Sequence, residues 1–217
     1  MAAIFTRRAN LFTQIGLALL VLGGLLLLGL VWGVPLMNYN DQVSFTPRQP
    51  VPFSHKHHVS GLGIDCRYCH DSVEFASNAG MPPTETCMTC HSEVWTNAAI
   101  LEPVRASFAK HTPLRWESVY TLPDYVFFDH SIHIAKGVGC TECHGPIGDM
   151  ALTYKATTLY MSWCLNCHRN PAPHLRPPEA VFDPHWRRSA STPSGKELMA
   201  IYHIHPKSLV DCSVCHR

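Results

Sequence analysis

Ten cysteines fall into five copies of one pattern, and no other feature of the chain constrains it as strongly. The copies are Cys66-Arg67-Tyr68-Cys69-His70, Cys87-Met88-Thr89-Cys90-His91, Cys140-Thr141-Glu142-Cys143-His144, Cys164-Leu165-Asn166-Cys167-His168 and Cys212-Ser213-Val214-Cys215-His216. Cys-x-x-Cys-His is the attachment sequence of c-type haem. Two thiols at this spacing reach the two vinyl groups of one porphyrin, and the next residue sits under the iron. A zinc site needs no histidine after each pair, and a disulfide framework would be irregularly spaced. No cysteine is left over. The expectation is five covalently bound haem c groups, with His70, His91, His144, His168 and His216 as proximal ligands.

Low-spin electron-transfer haems need a sixth ligand, His or Met. Of the 15 histidines, those outside the motifs are His55, His57, His58, His111, His130, His133, His174, His185, His203 and His205. An internal repeat selects among them. Phe53-Ser54-His55-Lys56-His57-His58 recurs as Phe128-Asp129-His130-Ser131-Ile132-His133. Each copy soon leads into a Cys-x-x-Cys-His, at Cys66 or at Cys140, and then into a second one, at Cys87 or at Cys164. Residues at i and i+3 share one face of a helical turn, so His55 with His58, and His130 with His133, can each serve two haems. His57 aligns with Ile132. The fifth distal ligand stays open among Met161, Met150, His203 and His205. His111, His174 and His185 read as solvated or hydrogen-bonded loop residues.

Residues Ile15 to Val34 form an unbroken run without charge, and a helix of about 20 residues spans ~30 Å, a bilayer core. Arg7 and Arg8 precede it, which keeps the N-terminal end in the cytoplasm and puts the rest on the periplasmic face. A cleaved signal peptide has a shorter apolar region and a small-x-small site. Trp32-Gly33-Val34-Pro35-Leu36-Met37 offers none, so an uncleaved single-pass anchor in the inner (plasma) membrane is expected.

Beyond the anchor the chain is rich in Pro and turn residues, with no sustained strand alternation. The expected fold is mainly α with much irregular loop: one transmembrane helix, then a haem-packed multihaem domain. Residues 1–36 form the cytoplasmic end and anchor, 37–52 a Pro-rich linker, and 53–217 the haem domain. Within it, repeat units cover about 53–127 and 128–181, and 182–217 add the fifth motif. Five haems on so short a stretch leave little protein for each, so porphyrins must supply the core and lie close enough to conduct. A net charge of +1 with no basic stripe gives no footprint for nucleic acid.

The Phe-x-His-x-x-His element followed by Cys-x-x-Cys-His resembles the small multihaem cytochromes of the c3 and c7 type, whose equivalent histidines are distal ligands. Three longer stretches, 53–70, 122–133 and 161–169, resemble the pentahaem cytochrome subunit of alternative complex III. That resemblance implies electron relay within a complex that oxidises a quinol in a respiratory or photosynthetic membrane. It implies an iron–sulfur subunit, polytopic quinol-binding membrane subunits, and a monohaem cytochrome or other periplasmic acceptor as partners. The chain is then an electron-transfer subunit without catalytic residues of its own. One rival is an anchored tetrahaem-type quinol dehydrogenase or donor to a periplasmic reductase. Its first motif typically follows the anchor closely, whereas the whole stretch 35–65 separates Val34 from Cys66 here. A second rival, a catalytic multihaem enzyme, needs an open iron position.

Overall fold

The structure, a computed structural model, describes residues 6–216. Residues 1–5 of the expected cytoplasmic end and Arg217 lie outside it. The chain divides into two compact units, one ending at Val43 and one beginning at Ser44.

The first unit is built on α1 (Arg7–Gly33). Thr6 caps it by accepting a hydrogen bond from the Ala9 N–H. Leu, Val and Gly surround the helix on every side, with no polar stripe that could face water while another face packs. Its 27 residues extend about 40 Å. Length and composition make it compatible with a single membrane pass. A 3-10 turn, Val34–Leu36, with Pro35 inside it, ends the apolar run, and α2 (Asn38–Asp41) follows.

Among the described residues the α-helices of the second unit are short: α3 (Thr84–His91), α4 (Glu102–Lys110), α5 (His130–Ala135), α6 (Cys140–His144), α7 (Met161–Arg169), α8 (Gly195–Ile201) and α9 (Cys212–Cys215). Among the described residues there is no strand, only isolated bridging such as Val138 with Leu175. Local signals set the ends. Ser194 and Glu197 form a reciprocal capping box at α8. His111 stops α4 in the left-handed region, at φ 49° and ψ 38°.

The hydrophobic core is thin. Val51, Leu101 and Val104 form one cluster, flanked by Cys87, Met88 and Trp116. Leu175 and Leu198 are buried elsewhere, each 1% exposed. A chain of this size normally buries far more. Residues 44–52, the second half of the expected linker, pack into this unit: Val51 is in its core, and the Gln49 side chain exchanges two hydrogen bonds with the Glu117 backbone.

Candidate functional site

Each Cys-x-x-Cys-His occupies a helical turn. Three are on α3, α6 and α7; the first is a 3-10 turn, Cys66–Tyr68, and the last is α9. Asp65 opens the first turn by accepting from the Arg67 N–H at 2.8 Å. The His70 N–H bonds back to the Cys66 carbonyl at 2.9 Å, and the His216 N–H does the same to Cys212 at 2.9 Å. Both cysteines of a motif therefore share one face, with the histidine one step beyond. All ten cysteines are free of disulfides. After His144 the chain must turn sharply at φ 62° and ψ −149°, a conformation open to Gly145 and to almost nothing else.

The sequence repeat is a conformational repeat. Phe53 stacks on His58 at 4.4 Å and 23°, and Phe128 stacks on His133 at 4.5 Å and 28°. Phe53 meets His55 edge-on at 5.0 Å, and Phe128 meets His130 edge-on at 4.7 Å. His58 Nδ1 donates to the Ser54 carbonyl at 2.9 Å, and His133 Nδ1 to the Asp129 carbonyl at 2.6 Å. The backbones differ in one respect. The second copy is the regular helix α5, whereas the first continues into a π-helical turn, Lys56–Gly61, closed by Leu62 N–H to His57 O at 3.1 Å. Such turns are uncommon and cluster at functional sites.

These elements bring expected distal histidines to expected proximal ones. His58 faces His91 with ring centroids 6.2 Å apart. His130 faces His144 at 6.4 Å, and His133 faces His168 at 6.2 Å. Two imidazoles on opposite sides of one iron, with metal–nitrogen bonds of about 2 Å and about 1.1 Å from nitrogen to ring centre, would stand about 6.2 Å apart. His55 lies among His70, His58 and His144. His57 stacks instead on the exposed Trp95, at 5.9 Å and 24°.

Hydrogen bonds set the tautomer. A carbonyl can only accept, so an Nδ1 held against one carries the proton and leaves Nε2 free to ligate. His70 is held this way by Gly80 at 2.8 Å, His91 by Val94 at 3.1 Å and His130 by Ser77 at 2.7 Å. Leu209 holds His168 at 3.0 Å, and Tyr125 holds His216 at 3.0 Å. His55 Nδ1 meets the Thr153 hydroxyl at 3.0 Å, and the His144 ring abuts Tyr120 edge-on at 4.9 Å.

At four of the rings burial favours the neutral form, the only form that binds a metal. Desolvation, then the neighbouring His70, lowers His55 to about 4. Desolvation, then His130, lowers His144 to about 4. His58 and His133 are lowered chiefly by burial. Burial pushes the Cys143 thiol up to about 12, and contact with Cys66 raises Cys140. Both shifts favour the protonated thiol. Among the described residues no three His, Cys, Asp or Glu gather as a bare-ion site would need. They come instead as facing pairs, which suits a porphyrin that supplies the remaining donors.

Met161 begins α7 and is 66% exposed. Met150 is 3% exposed and packs beside Gly145, at the end of α6. His174 bonds Glu142 at 2.8 Å, and His185 bonds Ser60 at 3.0 Å. Phe53 and Phe128 have no assigned role in the sequence pattern, although the repeat contains both. Arg176 is not marked by the sequence at all. Its buried guanidinium donates to Glu142 at 3.2 Å and to the Asp183 carbonyl at 3.0 Å, and no periodicity or motif points to it.

Known proteins bear on this geometry in two ways. The family described as cytochrome c7 and related cytochrome c matches residues 51–106. A protein of Nitratidesulfovibrio vulgaris (strain Hildenborough), described as "Menaquinone reductase, multiheme cytochrome c subunit", is 32% identical over 164 residues, 64% of this chain and 74% of that protein. The match covers the greater part of that relative, and the facing imidazoles beside paired thiols supply the matching chemistry. The chain therefore belongs to the haem c-binding, multihaem c-type cytochromes related to cytochrome c7.

Proposed function

We propose that this chain is the pentahaem relay subunit of a quinol-oxidising membrane complex of the alternative complex III type. The observation that carries the reading is the set of facing imidazoles, three pairs at 6.2 to 6.4 Å, each joining a motif histidine to one from the repeat. Haem c, when bound, supplies reversible one-electron chemistry at iron.

The chain's own residues define the rest of the role. Cys66, Cys69, Cys87, Cys90, Cys140, Cys143, Cys164, Cys167, Cys212 and Cys215 would form the thioether links. His70, His91, His144, His168 and His216 would ligate the five haems from the attachment motifs. His55 opposes His70, His58 opposes His91, His130 opposes His144, and His133 opposes His168. Met161 opposes His216. In support of Met161, α7 packs against the 3-10 turn Ser208–Val210 just before the last motif, whereas Met150 packs at Gly145. With a His or Met on each side, each haem would have no position left for substrate, which favours relay over catalysis.

α1 anchors the chain, and Arg7 and Arg8 on its N-terminal side favour a periplasmic haem domain. The partners in this reading are an iron–sulfur subunit, polytopic quinol-binding subunits and a periplasmic electron acceptor. The relative's description, menaquinone reductase, favours a second reading in which electrons run towards the quinone.

The test uses the complex purified from membranes. A pyridine haemochrome assay should give five haems per chain. Anaerobic menaquinol should reduce those haems. Haems that reduce menaquinone but are not reduced by menaquinol would reverse the direction. Quinol oxidation by the isolated chain would sink the relay role.

A further inference from the structure

We infer that the chain sets its attachment motifs in the spatial order Cys87–His91, Cys66–His70, Cys140–His144, Cys164–His168, Cys212–His216, so that the duplicated units meet head to head. This rests on the five-haem reading above and deepens it. In sequence the two units follow one another directly. In space the first motif of each unit lies inward, and the second motifs lie outward.

Each junction stands on contacts between motifs. Tyr68, inside the first motif, and Thr89, inside the second, share a hydroxyl–hydroxyl hydrogen bond of 2.7 Å. Cys69 neighbours Cys87. At the central junction Cys66 and Cys140 touch through their thiols, and they reach adjacent carbonyls, Phe182 at 3.7 Å and Val181 at 3.9 Å. His55, His70 and His144 are mutual neighbours there. Helix α5 ties the third motif to the fourth by carrying both His130 and His133, and Cys143 neighbours Cys167 and Cys164. Finally, His168 donates to the Leu209 carbonyl at 3.0 Å, and Cys164 neighbours Cys215.

The order has a consequence for electron flow. The two ends of the array are the second motif, beside Trp95 and His57, and the fifth, beside Tyr125. The first haem motif in sequence is an interior one. Electrons crossing the whole array therefore enter at one of these ends and leave at the other.

Single-particle cryo-EM of the haem-loaded full chain, in detergent or within its complex, tests the order. The thioether links identify every iron by its motif. The expected result is one file with the irons of Cys66–His70 and Cys140–His144 as central neighbours and that of Cys87–His91 terminal. An iron of Cys66–His70 at an end, or one of Cys87–His91 next to that of Cys140–His144, would overturn the inference. A haem count on the same sample judges the five-haem reading separately. Fewer than five haems would sink that reading, while the order of those present would still decide this one.

Discussion

The rings of His130 and His144 stand 6.4 Å apart and only 11° from parallel. The rings of His58 and His91 stand at almost the same separation but at 70°. The angle matters because an imidazole interacts with the iron d orbital that lies perpendicular to its plane. Parallel rings both act on one orbital and split the pair. Crossed rings act on both and leave them nearly degenerate. Electron paramagnetic resonance of the oxidised holoprotein should therefore show a strongly anisotropic, large-g signal from the Cys87–His91 haem. The Cys140–His144 and Cys164–His168 haems should give ordinary rhombic signals. His58→Met should remove the large-g signal selectively; its survival would contradict the pairing with His91.

Phe128 holds both histidines of its copy, one by stacking and one edge-on. Phe128→Ala removes that support and opens a void. Phe128 is partly exposed, so the cost should fall below that of a fully buried ring, at about 1–3 kcal/mol. Thermal unfolding of the holoprotein should show the loss. The signals of the two haems assigned to His130 and His133 should broaden while the others stay sharp. Phe128→Leu should lose less stability but the same sharpness.

Much of this site was legible in the sequence, and the reason is covalent. Cys-x-x-Cys-His fixes its own chemistry within one short motif, and a repeat singles out histidines that a single copy would hide. The tertiary partners were not legible. Gly80, Val94, Leu209 and Tyr125 hold motif histidines through backbone carbonyls, and every residue has one. The head-to-head arrangement was hidden for a similar reason. It depends on Cys66 meeting Cys140 from a distant part of the chain, and spacing carries no record of that. The π turn after His55 was also missed, because a turn with one extra residue leaves the Phe-x-His-x-x-His pattern unchanged.

Burial sets the pH response. His55 and His144 are held near 4 in the folded chain against about 6.5 when free. Between those values the unfolded chain binds protons that the folded chain refuses. Stability therefore rises with pH across that window and is lost as pH falls from about 6.5 towards 4. Iron ligation has the same sign, since a protonated imidazole cannot bind. Acid titration of the oxidised holoprotein should convert low-spin haem to high-spin only below about pH 4, where the folded imidazoles begin to take up protons. An unchanged low-spin spectrum at pH 3 would contradict it.

Gly139, just before Cys140, leaves room for Arg176. A Cβ there would lie 2.4 Å from the Arg176 Cζ. That guanidinium cannot simply swing aside. It is 4% exposed, bonds Glu142, Thr141 and the Asp183 carbonyl, and lies over the Trp186 ring. Its Nε has no hydrogen-bond partner among the described residues, so displacement would strand still more buried donors. Gly139→Ala should cost about 1–3 kcal/mol by overpacking. Gly139→Ala combined with Arg176→Met should recover part of that loss, read as unfolding temperature.

Met161 gives the sharpest test of the fifth site. It sits one helical turn before Cys164, on the helix that packs beside the last motif. A thioether ligand raises a haem's potential relative to a second imidazole and gives a sulfur-to-iron charge-transfer band at the red end of the visible spectrum. The oxidised protein should show that band at the strength of one haem in five. Met161→Ala should abolish it and leave one high-spin haem. Met161→His should also abolish it, keep the haem low-spin and lower one midpoint potential without moving the others appreciably. A band that survives both substitutions would transfer the role to another residue, and Met150→Leu would then be the next variant to measure.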